Sequence, residues 1–250
     1  MTTCKVKKKR LRSKRKEIGL VPLPEETLLT VDVDGRSLSR LSCSPIDREE
    51  LVVGWLFSQG LIHMTDDIAE LSIKGDRAIV RLDSEAAPRL AQYHPVQVAA
   101  CSGGDVRPEL FADPPHLERE YAFSLEQAIR LMEQLPARAE LFQKHGGIHC
   151  SLLADIVDER ILCAREDIGR SNSVDKIIGW GLMHKTDFQR TAAFVTGRVS
   201  AEMALKVLHA GIPALVSQTT LTSKALEMVR RSGLTVIAHV LKPRPILLNV

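Results

Sequence analysis

No run of eighteen or more apolar residues occurs in this 250-residue chain, so a membrane-spanning helix is not expected. The N-terminus lacks the apolar stretch and small-residue cleavage site of a secretory signal, and export is not expected either. Cysteine is sparse. Cys4, Cys43, Cys101, Cys150 and Cys163 stand far apart, and an odd number of five argues against a closed disulfide framework. Reduced thiols in a cytoplasmic setting follow. No C-x-x-C pair occurs, and His149 is followed two residues later by Ser151 where a zinc deaminase needs glutamate, so catalytic zinc is not expected. The GxxxxGK[ST] pattern of a P-loop is also missing, as is any internal repeat.

Acidic residues are absent between Lys5 and Lys16, where KVKKKRLRSKRK holds nine basic residues. Without those nine, 25 Lys and Arg face 31 Asp and Glu, so the formal charge of +3 conceals a body near −6. Like charges at that density stay solvated, and residues 1–16 are expected to be a disordered tail that attracts polyanions without specificity. No specific nucleic-acid partner is implied. The remainder, with 44% hydrophobic and 26% charged residues overall, has the balance of a globular protein large enough to bury a substantial core.

Two β-like runs flank Asp34-Gly35, a pair that tolerates positive φ and signals a hairpin. SPIDREELVVGWLFSQG then suits a helix, with Pro45 and Asp47 at its start, Leu51, Trp55 and Leu56 on its apolar face, and Gly60 beyond its end. A second hairpin turns at Gly75-Asp76. VQVAA (96–100) predicts a short strand entering Cys101-Ser102-Gly103-Gly104, and the proline-rich stretch 105–120 predicts a loop. Ser124 and Gln127 form a capping box for a helix to about Gln134. Strands follow on either side of Asp158-Glu159, then a helix from about Ser173 to Met183. TAAFV, PALVS and LTVIAHV predict apolar strands separated by helices near 200–210 and 222–232, with Gly211 and Gly233 at the helix C-termini. Repeated strand–helix–strand order predicts an α/β fold, a sheet with helices on both faces, plus an N-terminal hairpin–helix lobe. The expected division is a tail (1–16), an N-terminal lobe (17–120) and a core lobe (121–250).

Cys101 stands at a strand end entering a glycine-rich loop whose N–H groups can stabilise a thiolate, although a small buried thiol is an equal alternative. Cys43, Cys150 and Cys163 lie in or beside apolar runs and predict core packing. REDIGRSNSVDK (165–176) crowds Glu166, Asp167, Arg170, Asp175 and Lys176 between a strand and a helix, where α/β folds bind ligands. These charges either hold a polar ligand or pair with one another. In TGRVSAE, Arg198 offers a bidentate phosphate donor, and Ser200 either joins it or simply caps a helix. In HGGIHCS, Gly146 and Gly147 allow close backbone approach to a ligand or strand.

HGGIH, EDIGRSNSVDKIIGW and TGRVSAEMALKVLHAGIP, in that order and spacing, resemble the FdhD/NarQ family of formate dehydrogenase accessory proteins. SPIDREELVVGWLFSQGLI resembles that family's first helix, and the resemblance runs from about Glu25 to the C-terminus. It implies a core like the cytidine deaminase fold without zinc, a homodimer, and a loop cysteine that receives persulfide sulfur from a cysteine desulfurase. Cys101 matches the first cysteine of the family's C-G-x-C-G loop. The cargo implied is the molybdenum bis(molybdopterin guanine dinucleotide) cofactor, sulfurated before insertion into formate dehydrogenase. AHVLKPR matches a nucleotide-contacting segment, which implies contacts from His239, Val240, Leu241, Lys242, Pro243 and Arg244, beside Arg170, Arg198, Ser200, Gly146 and Gly147.

Four departures from the family pattern stand out: Gly104 replaces the second loop cysteine, Ser171 a histidine, Leu221-Thr222 a Pro-Thr pair, and His239 and Leu241 a phenylalanine and an arginine. A two-thiol mechanism within the loop is thereby excluded. The alternative function is a cofactor-binding chaperone without sulfur transfer.

Overall fold

The computed structural model describes residues 3–4, 21–93, 96–97, 105–106, 114–118 and 121–249. The basic run 5–16 and Cys101 lie outside the described residues.

The first sheet is built from two hairpins. Strands β1 (Thr27–Val33) and β2 (Arg36–Cys43) pair antiparallel around Asp34-Gly35, whose φ of 46° and 78° realise the expected turn. Strands β3 (Ile68–Lys74) and β4 (Arg77–Leu82) pair across Gly75, and β4 lies parallel to β1, giving the order β2-β1-β4-β3. Leu29, Val31 and Val33 alternate onto one face and bury against Leu51, Val52, Trp55 and Leu56 of helix α1 (Arg48–Ser58). A five-residue helix α2 (Ala87–Ala91) closes this unit. Asp47 is the N-cap residue of α1, but its carboxylate caps no amide; it turns to Arg165 at 3.7 Å.

The second sheet has six strands in the order β6-β5-β7-β8-β9-β10. Antiparallel β5 (His149–Asp155) and β6 (Arg160–Asp167) are joined by the turn at Glu159, and β5 also runs antiparallel to β7 (Thr191–Val195). Strands β7, β8 (Ala214–Ser217) and β9 (Thr235–Ala238) are parallel, linked by helices α6 (Ala201–His209) and α7 (Ser223–Ser232). Strand β10 (Ile246–Leu248) pairs antiparallel to β9 at the edge. Period-two alternation supplies both faces. Leu153, Ala193 and Val195 point to helices α5 (Arg170–Met183), α6 and α7, while Leu152, Phe194 and Val216 point to helix α3 (Leu125–Met132). Helices therefore cover both faces, as expected. The Ser124–Gln127 capping box is formed, and Gly211 and Gly233 take φ of 74° and 75° after α6 and α7.

Helix α5 begins at Arg170, before the predicted start at Ser173, because its first-turn polar residues are buried and partnered inside the protein. It lies between the sheet and α1. A Cβ on Gly54 of α1 would sit 1.9 Å from the Asp175 carbonyl oxygen, and one on Gly179 of α5 would sit 1.9 Å from that of Glu50. Two glycines thus let the helix backbones touch where any side chain would force them apart. Among the described residues, no helix is long and apolar enough to cross a membrane.

Candidate functional site

Strands β6, β7, β8 and β9 all end at one edge of the six-stranded sheet, and antiparallel β5 begins there with His149. This is the edge where loops and helix N-termini of an α/β sheet converge on ligands. The loops brace one another. The Ser217 hydroxyl donates to the Gly197 carbonyl at 2.8 Å and accepts from the Thr219 amide at 3.0 Å. The His239 amide donates to the Thr219 carbonyl at 2.8 Å, with His239 itself in the left-handed region at φ 54°.

Leu241, Lys242, Pro243 and Arg244 follow His239 as an exposed run. Val240 differs from them: its side chain is in the core and its amide donates to the Ser217 carbonyl, so neither group faces the edge. Ser200 caps α6, its hydroxyl accepting from the Met203 amide at 3.3 Å. Gly146 takes φ 68° as the αL cap of helix α4 (Glu140–His145), which gives that glycine a local reason; Gly147 is exposed, with Pro24 nearby.

Of the charged cluster 165–176, most members are committed inside the protein. Asp167 accepts from Lys176 (2.7 Å), the Gly169 amide (2.8 Å), Asn172 (2.9 Å) and the Ser44 amide (3.1 Å). Glu166 accepts from the Leu141 and Phe142 amides. Asp175 accepts from Ser58 (2.8 Å) and Lys206 (2.6 Å), and Lys206 also reaches Ser171 and Glu202. Within this segment only Asp167 and Lys176 pair with one another; Glu166 and Asp175 take their partners from other elements. Arg170 does not share their fate. It stands half-buried at the first position of α5, and no ion pair among the described residues engages it or the exposed Arg198.

His149, which the sequence weighs only as a zinc ligand, opens β5 at this edge. Its ring packs against Gly197, whose other neighbour is Arg170. Burial, then the charge of Arg170, with a lesser contribution from Arg198, holds its pKa below the usual 6.5, against the pull of Asp167. The sequence signal for it was positional: HGGIHC opens the strand paired with β7. Among the described residues no group of three metal-ligating side chains is assembled.

The described cysteines other than Cys4 are buried. Burial pushes the thiol of Cys43 up to about 11 and those of Cys150 and Cys163 to about 12. Such thiols are inert nucleophiles at neutral pH. The residues flanking Cys101 do pair: Val96 with Val106 and Gln97 with Asp105, antiparallel.

A model of the FdhD/NarQ family matches residues 24–247. This chain belongs to the FdhD/NarQ family. A sulfur carrier protein FdhD from Halalkalibacterium halodurans is 32% identical over 214 residues, covering 83% of this chain and 78% of the relative. Its counterpart from Geobacillus kaustophilus is 31% identical over 214 residues, with 84% and 81% covered. The crystal structure of a formate dehydrogenase accessory protein from Desulfotalea psychrophila superposes with a TM-score of 0.76, covering 93% of this chain and 90% of that one at 24% identity. At that identity the superposition speaks for the fold. The four-stranded sheet, and the six-stranded sheet up to Leu247, fall within the matched span.

Proposed function

We propose that this protein is a cytoplasmic sulfur carrier serving formate dehydrogenase, with Cys101 as the carrying thiol. One observation carries the assignment to Cys101. A carrier must attack as thiolate, and Cys43, Cys150 and Cys163 are buried with thiols titrating near 11 to 12. Two candidates are left, Cys4 and Cys101, and only Cys101 stands in the segment matched to the family. The relatives named sulfur carrier protein FdhD support the role itself.

In this reading Cys101 thiolate attacks the outer sulfur of a cysteine desulfurase persulfide. An S–S bond forms to Cys101 as the desulfurase cysteine leaves as thiolate. The outer sulfur would then pass to the molybdenum bis(molybdopterin guanine dinucleotide) cargo before its insertion into formate dehydrogenase: the S–S bond breaks, Cys101 leaves as thiolate, and the cargo's metal supplies the two electrons that take the transferred sulfur to sulfide. Arg170, Arg198, Lys242 and Arg244 at the sheet edge suit the cargo's phosphates, being cations without ion-pair partners among the described residues. The core is taken to resemble the cytidine deaminase fold, and the protein to act as a homodimer.

The test incubates the protein with a cysteine desulfurase and cysteine, then maps added sulfur by peptide mass spectrometry. One added sulfur on the Cys101 peptide, absent from Cys101→Ala, is expected. Sulfur confined to Cys150 or Cys163 overturns the assignment. Gly104 in place of a second loop cysteine favours one other reading, a cofactor-binding chaperone without sulfur transfer. Under it Cys101→Ala retains full support of formate dehydrogenase, whereas under ours that support is lost.

A further inference from the structure

Side chains from two separate elements meet the backbone of a third at one position. Gly197, in the loop between β7 and α6, is buried, and a Cβ there would lie 3.2 Å from Arg170 Cβ and 3.2 Å from His149 Nδ1. Arg170 opens α5, His149 opens β5, and Arg198 follows Gly197 directly. The Gly197 carbonyl is tied back to Ser217, so the loop's position is fixed by the sheet beneath it. We infer that His149, Arg170 and Arg198, gathered around the Gly197 backbone, form one oxyanion subsite that takes a phosphoryl group of the cargo. The inference rests on the cofactor-carrying part of the proposed function and adds His149 and Gly197 to it.

Two guanidinium groups attract any anion, but an imidazole responds to one. The charged groups facing the ring are Arg170 from α5, Arg198 from the loop before α6, and Asp167 from the end of β6. Asp167 is itself occupied by Lys176 and three N–H donors. Burial and the two arginines together keep the ring neutral at neutral pH in the absence of an anion. An oxyanion seated between the guanidiniums cancels the field that disfavours imidazolium. The ring then takes one proton from solvent onto its free nitrogen, and the new N–H donates to the anion. Only that N–H bond forms, so anion binding and proton uptake are linked. Glycine at 197 lets the loop backbone approach the ring and Arg170 this closely, since a Cβ there would crowd both at 3.2 Å.

The full-length protein tests this with sulfate as the probe, since sulfate keeps its charge over the range in which histidine titrates. NMR follows the His149 ring, with His149→Gln identifying its signal, in sulfate and in chloride at equal ionic strength. In chloride His149 should titrate below the usual 6.5, and the exposed His63 ring serves as the control. Sulfate should raise the His149 value by about one unit, which corresponds to about tenfold tighter sulfate binding by the protonated form, and should leave His63 in place. In Arg198→Gln the value in chloride should start higher and most of the sulfate response should vanish.

The subsite is overturned if sulfate leaves His149 unmoved, or if Arg198→Gln keeps the whole response. Equal movement of His149 and His63, an adventitious ion only, overturns it as well. Sulfur loading of Cys101 is read separately. A chain that loads sulfur without the sulfate response loses the subsite and keeps the carrier role; the reverse result does the opposite.

Discussion

Lys176 Nζ lies 2.7 Å from Asp167 Oδ2, and neither side chain is exposed to solvent. The pair joins α5 to the end of β6, and Asp167 carries the contact onward to the N-terminal unit through the Ser44 amide. Asn172 repeats the link by donating to the Ser42 carbonyl at 2.8 Å. This edge of the sheet is thus anchored from beneath by a buried charge whose every lone pair has a donor. Asp167→Asn should destabilise the protein by about 3–5 kcal/mol, the usual cost of stranding a buried partner charge. Urea unfolding monitored by circular dichroism measures it. Replacing both residues by leucine should not restore stability, because the Gly169 and Ser44 amides would lose their acceptor.

The glycine pair between helices gives a sharper test. Gly54→Ala and Gly179→Ala each place a methyl 1.9 Å from a carbonyl oxygen of the opposing helix, and neither backbone can yield without parting α1 from α5. Each should cost more than the roughly 1–3 kcal/mol of ordinary overpacking. Gly147→Ala is the control, since its nearest new neighbour is Pro24 at 3.8 Å. Thermal melts of the three variants should show two large losses and one melt close to that of the parent.

These two interactions mark what the sequence could and could not disclose. Asp34-Gly35 and Ser124 with Gln127 act within a few residues of themselves, so local rules located the turn and the cap. The apolar runs TAAFV and LTVIAHV likewise announced strands, and the strands they form are buried along their length. Gly54 and Gly179, by contrast, look only like weak helix residues until the opposing backbone is known. Ser171 and Asn172 read as loop because they are polar; they are buried helix because Glu202, Lys206 and Ser42 supply partners from distant elements. The place of Arg170 and Arg198 just after strands was legible locally. The closeness of His149 to Gly197 was not, since it depends on how the neighbouring strands and loops pack.

The buried thiols set an order of reactivity. At pH 8 a thiol titrating near 12 is ionised on the order of one time in ten thousand, so Cys150 and Cys163 should resist iodoacetamide in the native state. Cys43, near 11, should resist nearly as well. Labelling followed by peptide mapping should show these three modified only after denaturation. Rapid native labelling of Cys150 or Cys163 would contradict their burial.

Ser200 separates a structural hydroxyl from a ligand-binding one. It caps α6 as Thr222 caps α7, each accepting from the amide three residues on at 3.3 Å. Ser200→Ala and Thr222→Ala should therefore cost similar amounts, about 1 kcal/mol each. Sulfate titration should be unchanged in Ser200→Ala if capping is its whole task. A stability loss confined to Thr222→Ala would show Ser200 free for the cargo instead.

The network of Lys206, Glu202 and Asp175 fixes how stability responds to pH. Burial works against the Lys206 ammonium, but Asp175 and Glu202 outweigh it and hold its pKa above the usual 10.5. A raised lysine contributes stability that is complete below the unfolded value and is lost as pH rises through the folded one. Burial likewise opposes the Glu202 carboxylate, yet Lys206 and Ser171 bring its pKa below 4.5. Its contribution is present above the unfolded value and disappears as pH falls through the folded one. Burial raises the Asp175 pKa against Lys206 and Ser58, so its protonation offsets part of the Glu202 loss in acid; the network's contribution should therefore fall most clearly in strong alkali and less in acid. Glu202→Gln should lower the plateau and shrink both losses, since it removes the acid-titrating group and one of the two carboxylates that hold the Lys206 charge. Melting temperatures across the pH range, compared with the parent, measure the change. An unaltered alkaline limb would mean that Asp175 alone sustains the lysine.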